Sequence, residues 1–594
     1  MITKAQRVGR LKGHIVYKVV ATEFLPLRDR PLHDIDEDAY LSMLKTFMKS
    51  GPMYFSYSID LTNTFQRQAQ SDLSEPLWKR ADDRFFWNRF VQTDLIDFRA
   101  SGSRQQASQQ RGMDPYILPV IFGMLEIIST RIKSSPLTIA LITRRSRYRA
   151  GTRYFSRGID EDGHVSNYNE TEQVIILNDD AAGLGGFAGG GGMQNGKIGS
   201  SNRKDIQILS YVQTRGSIPV YWAEVNTLHY TPKLQVRGIE AVVSAAKAHF
   251  DEQIQLYGDI YLVNLVNQKG RERAMKEAYE QIVRALQSSA AESKISDQLT
   301  DEKFRILNSR VQHQEYDRLH YVYFDFHNET KGFRWNQVDL LLKQLHVALM
   351  KQQYFRGVDM PADVEGRLEV RNRQTSVVRT NCMDCLDRTN VVQSTLARWT
   401  LNRMLTDLHI FQPGESISDD ATFESLFRNI WADNADAVSK SYSGTGALKT
   451  DFTRTGNRTK AGALQDFKNS VMRYARNNFR DGPKQDALDL FHGLYLPSTS
   501  TASSTLIFTD RRPLIVQAIP YILAFSIFFI LVATFTKRLP DATVIPLRIF
   551  ILFWLMVGVW CFNFIVSYGI LYVSLILLPL KTLHFILIPS GELA

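Results

Sequence analysis

Residues 379–390 read RTNCMDCLDRTN, a stretch that places the thiol of Cys382 and the guanidinium of Arg388 six positions apart. Before it, residues 374–378 have the β-branched composition of a short strand. After it, apolar side chains recur at helical spacing: Val392, Leu396 and Trp399. A loop between strand and helix directs its backbone N–H groups and the positive end of the helix dipole at an anion above it. The stretch therefore predicts a phosphate-binding catalytic loop.

The chemistry expected of this loop is phosphoryl transfer through sulfur. A helix N-terminus and a nearby cation lower the pKa of a thiol, so Cys382 is the predicted nucleophile. Arg388 offers a planar fork of donors that matches two phosphate oxygens. Attack of sulfur on phosphorus would give a cysteinyl-phosphate, which water then hydrolyses. The other residues predicted to form the phosphate-binding loop are Met383, Cys385, Leu386, Thr389 and Asn390.

Two carboxylates lie within the loop, and both are candidates for the proton transfers. The leaving alkoxide needs a proton and the later water must lose one, so Asp384 and Asp387 are predicted catalytic residues. The sequence does not decide between them, because an Asp in a turn often holds backbone N–H groups instead. Thr389 is expected either to donate a hydrogen bond to the thiolate or to help cap the helix.

A competing interpretation treats Cys382-x-x-Cys385 as a redox or zinc pair. Zinc would require a second Cys/His pair, and the remaining cysteine, Cys561, lies in an apolar run. A redox pair would leave Arg388 unexplained. We therefore expect neither a metal nor another cofactor.

A glycine-rich segment at residues 179–201 offers a second phosphate-loop candidate. It contains Gly191-x4-Gly196-Lys197, which is similar to a Walker loop. The next residue, Ile198, has no hydroxyl for magnesium, and no amphipathic helix follows. We interpret the segment as a flexible insertion.

Composition limits the class of protein and of partner. The chain has 594 residues, three cysteines and a formal net charge of +10. Its length predicts several folded units, and so few cysteines exclude a disulfide framework and favour a reducing compartment. The positive charge favours an anionic partner. Because no basic tract with interleaved aromatic residues is present, ordinary solvated surface charge and a membrane are both preferred over nucleic acid.

Two long apolar runs near the end of the chain predict an integral membrane protein. We expect membrane-spanning helices over residues 514–535 and 549–571, followed by a tail, 572–594. Each is long enough to cross a hydrocarbon core of roughly 30 Å. The short connection between them places both chain termini on one side. The free thiols and the absence of an N-terminal signal peptide favour the cytosol for that side.

Upstream of these runs, strand-like and helix-like segments alternate, which predicts an α/β (mixed α+β) fold with a largely parallel or mixed sheet. Residues 1–150 are assigned to an N-terminal domain, residues 151–496 to a catalytic domain and residues 497–513 to a flexible linker. The basic segment from Arg144 to Arg153 is expected to be a solvated strand edge, with a phosphate-facing or lipid-facing patch as the alternative.

The stretch at residues 379–390 resembles, throughout its length, the catalytic signature of the Sac-domain phosphoinositide phosphatase family. Further segments similar to that family are Asn169–Gln173, Gln213–Pro219, Asn267–Gly270, Phe324–His327, Trp431–Asn434 and Gly444–Asp451. The resemblance covers nearly all of residues 1–495. It implies a Sac N-terminal domain packed on a cysteine-phosphatase-like catalytic domain, metal-independent hydrolysis, Cys382 as nucleophile and Arg388 as phosphate clamp.

The two apolar runs are similar to the integral-membrane branch of that family. This likeness implies phosphatidylinositol 4-phosphate, or the 3-phosphate, as the substrate, and the endoplasmic reticulum or Golgi membrane as the location. Three cationic residues, Lys449, Arg454 and Arg458, are predicted to form a rim that steers the lipid headgroup, with ordinary surface charge as the alternative.

The N-terminal domain of the family starts with further strands, and this chain opens at a point that resembles the middle of one of them. The start is therefore expected to be truncated, which would leave the strand-like segment His14–Leu27 without sheet partners. The alternatives to a phosphoinositide phosphatase are a protein tyrosine or broader lipid phosphatase with the same loop, and a membrane-tethered phosphoinositide-binding protein without activity. Intact Cys382 and Arg388 argue against the last of these.

Overall fold

The computed structural model of the chain describes residues 1–25, 35–101, 112–177, 206–299, 316–331, 337–359, 367–456, 459–497, 512–536 and 543–573. The predicted glycine-rich insertion and Arg458 lie outside these residues, as do most of the predicted linker and of the C-terminal tail.

The described strands are β1 (Ile2–Leu11), β2 (His14–Thr22), β3 (Met53–Phe55), β4 (Ile121–Ile132), β5 (Ser135–Arg145), β6 (Asn169–Leu177), β7 (Gln207–Arg215), β8 (Trp222–Val225), β9 (Lys233–Val236), β10 (Asp259–Asn264), β11 (Leu319–Tyr323), β12 (Phe355–Asp359), β13 (Leu368–Asn372) and β14 (Ser376–Asn381). All but β8 and β9, which form a separate hairpin, join one mixed sheet in the order β1-β2-β3-β4-β5-β6-β7-β14-β10-β11, with β12 joined to β7 and to β13. The expectation of a mixed α/β fold is thus confirmed.

The sheet changes character at β7. Neighbours from β1 to β7 are antiparallel, whereas β7, β14, β10 and β11 run parallel to one another. Parallel neighbours require long crossovers, which helices supply here. The carboxyl ends of these strands therefore meet at one edge, where Asn381 of β14 stands opposite Asn264 of β10, and Thr380 opposite Arg215 of β7. Ligands of such sheets bind beyond that edge.

The described helices are α1 (Ile35–Met48), α2 (Phe65–Gln68), α3 (Leu77–Arg80), α4 (Thr93–Ala100), α5 (Val243–Tyr257), α6 (Arg273–Leu299), α7 (Phe326–Glu329), α8 (Val338–Gln352), α9 (Asp387–Asp407), α10 (Ala421–Ser443), α11 (Thr450–Thr455), α12 (Lys460–Phe479), α13 (Asp481–His492), α14 (Leu514–Phe535) and α15 (Ile545–Ser567). They cover both faces of the sheet. Val377 of β14 packs in a cluster with residues of α5 and α6, whereas the next residue, Val378, packs with residues of α8, α9 and α10. Consecutive strand residues point to opposite faces, so both clusters hold β14 in place.

The first strands differ from the expectation. Residues His14–Thr22 form β2, which pairs with β1 on one side and with β3 on the other. The expectation that this segment lacks sheet partners is therefore wrong. Lys12 and Gly13 adopt φ angles of 49° and 78°, and this tight turn lets residues 2–11 fold back as a hairpin partner.

The basic segment also differs from the expectation. Arg144 and Arg145 lie at the end of β5 and are buried, so they do not form a solvated strand edge. Arg144 donates to Glu172 at 2.7 Å and to Glu170 at 3.3 Å, both on the neighbouring strand β6. A buried guanidinium requires paired carboxylates, and the cross-strand register supplies them.

Helices α14 and α15 are long and apolar enough to cross a membrane, judged by length and composition. The first has the predicted bounds, Leu514–Phe535, and the second begins and ends four residues earlier than predicted, at Ile545 and Ser567. Pro546 explains the earlier start, because proline fits the first turn of a helix, where its missing N–H has no partner.

Candidate active site

The stretch at residues 379–390 adopts the predicted strand–loop–helix arrangement. β14 ends at Asn381, Cys382 follows at the carboxyl edge of the sheet, and α9 begins at Asp387. Residues 383–386 form bends, with Cys385 at a φ of 53°. Among the described residues, no backbone N–H group from Met383 to Leu386 donates to a protein acceptor. These N–H groups and the N-terminus of α9 are available to an anion.

The two thiols of the loop have opposite properties. Cys382 is 3% exposed and accepts a hydrogen bond from the Thr389 hydroxyl at 3.4 Å. The Cys385 thiol, the Arg388 guanidinium and the Thr389 hydroxyl together lower the pKa of Cys382 to about 6, against burial. Burial instead raises the pKa of Cys385, whose thiol donates to the Gly216 carbonyl at 3.0 Å. Near neutral pH, Cys382 is therefore the thiolate and Cys385 stays protonated.

A buried arginine from β7 lies behind the thiols. Arg215 is fully buried, and one of its nitrogens donates to Asn390 at 3.3 Å. Burial lowers the pKa of Arg215 to about 10, while Cys385 and Cys382 raise it. Its positive charge adds to the field that favours a thiolate in this loop.

Arg388 is held by the carboxylate of Glu272, which lies in the turn just before α6. Its guanidinium donates to Glu272 at 2.6 and 2.9 Å, and also to the Leu265 carbonyl at 3.0 Å. Burial lowers the pKa of Arg388, but Glu272 and Cys382 outweigh it, so the pKa lies above its usual value and the group stays charged. The bidentate pair fixes the guanidinium next to the thiolate.

The two loop carboxylates occupy different surroundings. Asp384 accepts from Arg157 at 2.6 Å and lies 3.1 Å from Arg153. Burial raises the pKa of Asp384, but the two guanidiniums outweigh it and hold that pKa well below its usual value. Asp384 is therefore a carboxylate at every physiological pH.

The negative charge of Asp387 is balanced less well by neighbouring groups than that of Asp384. It accepts from the Leu448 backbone N–H at 2.8 Å, and the nearest cation among the described residues, Arg473, lies at 3.8 Å. Burial raises the pKa of Asp387 above its usual value, and neighbouring Asp384 and Asp466 add to that rise, against Arg473 and the Leu448 N–H. Of the two carboxyl groups, Asp387 holds a proton more readily.

The chain is similar to known proteins of one family. A family model described as a SacI homology domain matches residues 1–331. The chain is 42% identical to the phosphatidylinositol-3-phosphatase SAC1 of Saccharomyces cerevisiae, over 87% of this chain and 73% of that protein. It is 38% identical to the protein of that name in Drosophila melanogaster, over 82% and 71%, and 33% identical to phosphoinositide phosphatase SAC6 of Arabidopsis thaliana, over 84% and 73%.

This chain belongs to the Sac phosphoinositide phosphatase family. The resemblance inferred from residues 379–390 is thereby confirmed, and with it, at the level of the family, the expectation of a phosphoric monoester hydrolase. The roles of individual residues in this Sac phosphatase stay predictions.

The proposed cationic rim of the Sac phosphatase is only partly described. Lys449 is exposed, at the start of α11, and its backbone N–H donates to Asp466. Arg454 donates to Asp433 at 2.7 Å and to Asn429 at 3.0 Å, so its charge is directed toward α10. Arg458 lies outside the described residues. Steering of a headgroup by these residues stays a prediction.

Several side chains of the site were not predicted. They are Arg157, Arg215, Glu224, Glu272 and Arg473. Glu272 follows the family-like segment Asn267–Gly270 by two residues, and its carboxylate also accepts from the Asn267 backbone N–H at 2.7 Å. That segment was a signal that could have indicated it. Arg473 lies in the middle of α12, where the sequence alone gives no sign of a contact with the loop.

Proposed function

We propose that this Sac phosphatase hydrolyses the phosphate monoester of phosphatidylinositol 4-phosphate, and also of the 3-phosphate, through a cysteinyl-phosphate intermediate. The observation that carries this proposal is the Cys382 thiol, which accepts a hydrogen bond from Thr389 and lies below the N-terminus of α9. Such a thiol ionises near pH 6 and faces backbone donors suited to phosphate oxygens.

In the first step, the Cys382 thiolate attacks phosphorus in line with the inositol oxygen. The S–P bond forms, the P–O bond breaks, and the electron pair of that bond goes to the leaving oxygen. Asp387 supplies the proton to that oxygen, because burial raises its pKa whereas two arginines lower the pKa of Asp384. Asp384, ion-paired with Arg153 and Arg157, has no proton to give and instead positions those two arginines beside the loop.

In the second step, a water molecule attacks the phosphorus of the cysteinyl-phosphate. Asp387, now a carboxylate, takes the proton of that water. The S–P bond breaks, inorganic phosphate leaves, and the Cys382 thiolate is restored, stabilised by Thr389.

Arg388 has to change partners during this cycle. Its fork donates to both oxygens of Glu272 in the structure. A phosphate dianion carries more charge than a carboxylate and offers the same bidentate geometry, so it competes with Glu272 for the guanidinium. We infer that substrate binding draws Arg388 from Glu272 onto the phosphate.

The two apolar helices support a lipid as the carrier of the phosphate. They match the length needed to span a bilayer, and two of the relatives are named phosphatidylinositol-3-phosphatase. We propose that the protein resides in the endoplasmic reticulum or Golgi membrane with its catalytic domain and both termini in the cytosol. The preference for the 4-phosphate rests on the resemblance to the integral-membrane branch.

The experiment that tests the proposal measures phosphate release by the full chain in proteoliposomes that contain one phosphoinositide isomer each. Activity is expected on the 4-phosphate and the 3-phosphate. Cys382→Ser is expected to lower the rate roughly a thousandfold or more, whereas Cys561→Ala, a cysteine in α15, serves as the matched control.

Three outcomes would contradict the proposal. Undiminished activity of Cys382→Ser would remove the cysteinyl-phosphate. Preference for phosphotyrosine peptides would assign the loop to a protein phosphatase. Binding of phosphoinositide without phosphate release would indicate a tethered binding protein.

A further inference from the structure

Helix α12 (Lys460–Phe479) has its polar and apolar faces inverted relative to an ordinary surface helix. Its buried face is polar: Arg473 and Asn477 are at most 7% exposed, and Asn478, at the C-terminal end, is buried and donates to the Tyr474 carbonyl of the same helix. Its outward face carries large apolar side chains: Leu464, Phe467, Val471, Met472 and Phe479, which are 70%, 67%, 53%, 42% and 52% exposed. Exposed apolar patches of this kind mark interaction sites.

The buried polar face is fixed by specific contacts with the catalytic domain. Arg473 donates to the Ser439 hydroxyl at 3.1 Å and to the Gly446 carbonyl at 3.0 Å, and Asn477 donates to the Ser443 carbonyl at 3.0 Å. These bonds determine which side of α12 faces the protein. Because the polar side chains are committed inward, the side with Leu464, Phe467 and Val471 must face outward.

Leu464, Phe467 and Val471 follow one another at intervals of three and four residues, so they form one stripe along the helix. Two lysines accompany the stripe: Lys460 and Lys468 are exposed on the same helix, which has a single acidic residue, Asp466. Arg476 is also exposed, but it donates to the Gly444 carbonyl of the catalytic domain. A helix with an apolar stripe and flanking lysines has the composition that lies in the interface of an anionic bilayer.

The stripe also lies on the side of the catalytic domain that contacts the apolar helices. The Tyr474 hydroxyl of α12 donates to the Leu228 carbonyl, in the turn between β8 and β9, at 2.5 Å. Leu228 in turn packs against a cluster of Ile519 in α14, Cys561 in α15 and Tyr572. Contacts therefore run without a break from α12 to the part of the chain expected to enter the membrane.

We propose that the apolar stripe of α12, formed by Leu464, Phe467 and Val471, inserts into the cytosolic interface of the membrane in which α14 and α15 are anchored. Insertion holds the catalytic loop toward the lipid surface, since α12 contacts that loop through Arg473 and Asp387. A bilayer accounts for the stripe and for the accompanying cations together, whereas a second protein surface would need acidic and apolar groups in the same pattern.

The test uses the full chain in proteoliposomes that contain about 20% anionic lipid, a composition in which polybasic surfaces bind. Cysteine replaces Leu464, Phe467 or Val471 one at a time and is labelled with bimane. The parent chain, whose three cysteines are buried, is the labelling blank. The matched control is Val347→Cys on α8, an apolar residue that is 80% exposed.

Nitroxide attached near the headgroup of the lipid is expected to quench bimane at the three stripe positions and not at position 347. Quenching should weaken when the anionic lipid is replaced by a zwitterionic one. Absence of lipid quenching at all three positions overturns the proposal. If iodide in the buffer also fails to quench there, another protein surface covers the stripe.

A second measurement connects the stripe to turnover, and it rests on the proposed function. The triple variant Leu464→Ser, Phe467→Ser and Val471→Ser is expected to lower phosphate release from long-chain phosphoinositide in the same bilayer by roughly tenfold, because three apolar side chains no longer bury in the interface. Val347→Ser serves as the control. Equal rates for the triple variant and the parent would contradict the coupling.

The two hypotheses fail in distinguishable ways. Lipid quenching at the stripe of a chain that releases no phosphate would contradict the proposed function and leave the docking surface intact. Phosphate release without lipid quenching would contradict the docking surface and leave the proposed function intact.

Discussion

The Arg157 guanidinium lies 2.6 Å from the Asp384 carboxylate, and another of its nitrogens pairs with Glu224. This contact gives the two carboxyl groups of the catalytic loop different electrostatic surroundings. Asp384 is compensated by two arginines, whereas the arginine nearest to Asp387 in the described part of the chain lies at 3.8 Å. A carboxyl group that is partly buried with few neighbouring cations keeps its proton to higher pH than one paired with two arginines, so the geometry favours Asp387 over Asp384 as the acid.

Replacement of Asp387 by Asn should lower kcat on a phosphoinositide by about 100-fold to 1000-fold, since it removes the group that protonates the leaving oxygen. The decline of kcat/KM with rising pH, where Asp387 loses its proton, should disappear in the same variant. A pH–rate profile of the variant beside the parent chain checks this. Retention of that decline would assign it to another group.

Replacement of Thr389 by Ala should shift the acidic limb of the pH–rate profile to higher pH. The hydroxyl stabilises the Cys382 thiolate, whose pKa is about 6, and its removal favours the thiol. Activity is expected to rise with pH through the pKa of Cys382, because only the thiolate attacks phosphorus. Thr389→Ser keeps the donor and is the control. An unmoved acidic limb in Thr389→Ala would show that this hydrogen bond does not tune the thiol.

Replacement of Glu272 by Gln should strengthen inhibition by inorganic phosphate and vanadate. The neutral amide competes less well for the Arg388 fork, so the guanidinium is freer to bind the anion. Inhibition constants of the variant and the parent chain, measured on one substrate, check this. A matched comparison is Glu277→Gln, on an exposed residue of α6 that pairs with Arg273. Weaker inhibition in Glu272→Gln would mean that Glu272 positions Arg388 for the phosphate.

Replacement of Asp384 by Asn should destabilise the fold by about 2 to 4 kcal/mol at neutral pH, because Arg153 and Arg157 lose their shared anion. The folded-state pKa of Asp384 is depressed, so its stabilising contribution is present above the unfolded pKa and is lost as pH falls toward the folded value. The difference in Tm between parent and variant in detergent should therefore narrow below about pH 4. A difference that is constant with pH would contradict the ion-pair explanation.

The sequence by itself determined much of the site. The residue types and spacing in RTNCMDCLDRTN were enough to predict the strand–loop–helix arrangement and the family, because a short catalytic loop between strand and helix takes its geometry from local chain direction and the helix dipole. Cys382 as the nucleophile stays a prediction. The two apolar helices followed from composition in the same way. Alternation of elements predicted the mixed sheet, since parallel strands require helical crossovers.

Only the tertiary structure decided how the charges of the site are compensated. Asp384 and Asp387 are equivalent in sequence, and they differ because Arg153 and Arg157, more than 200 positions earlier, fold against one of them. The burial of Arg144 depends on carboxylates across the β5–β6 register, and the partner of Arg388, Glu272, comes from the turn just before α6. Long-range contacts of this kind leave no periodic signal, because they depend on the packing of elements that are distant along the chain.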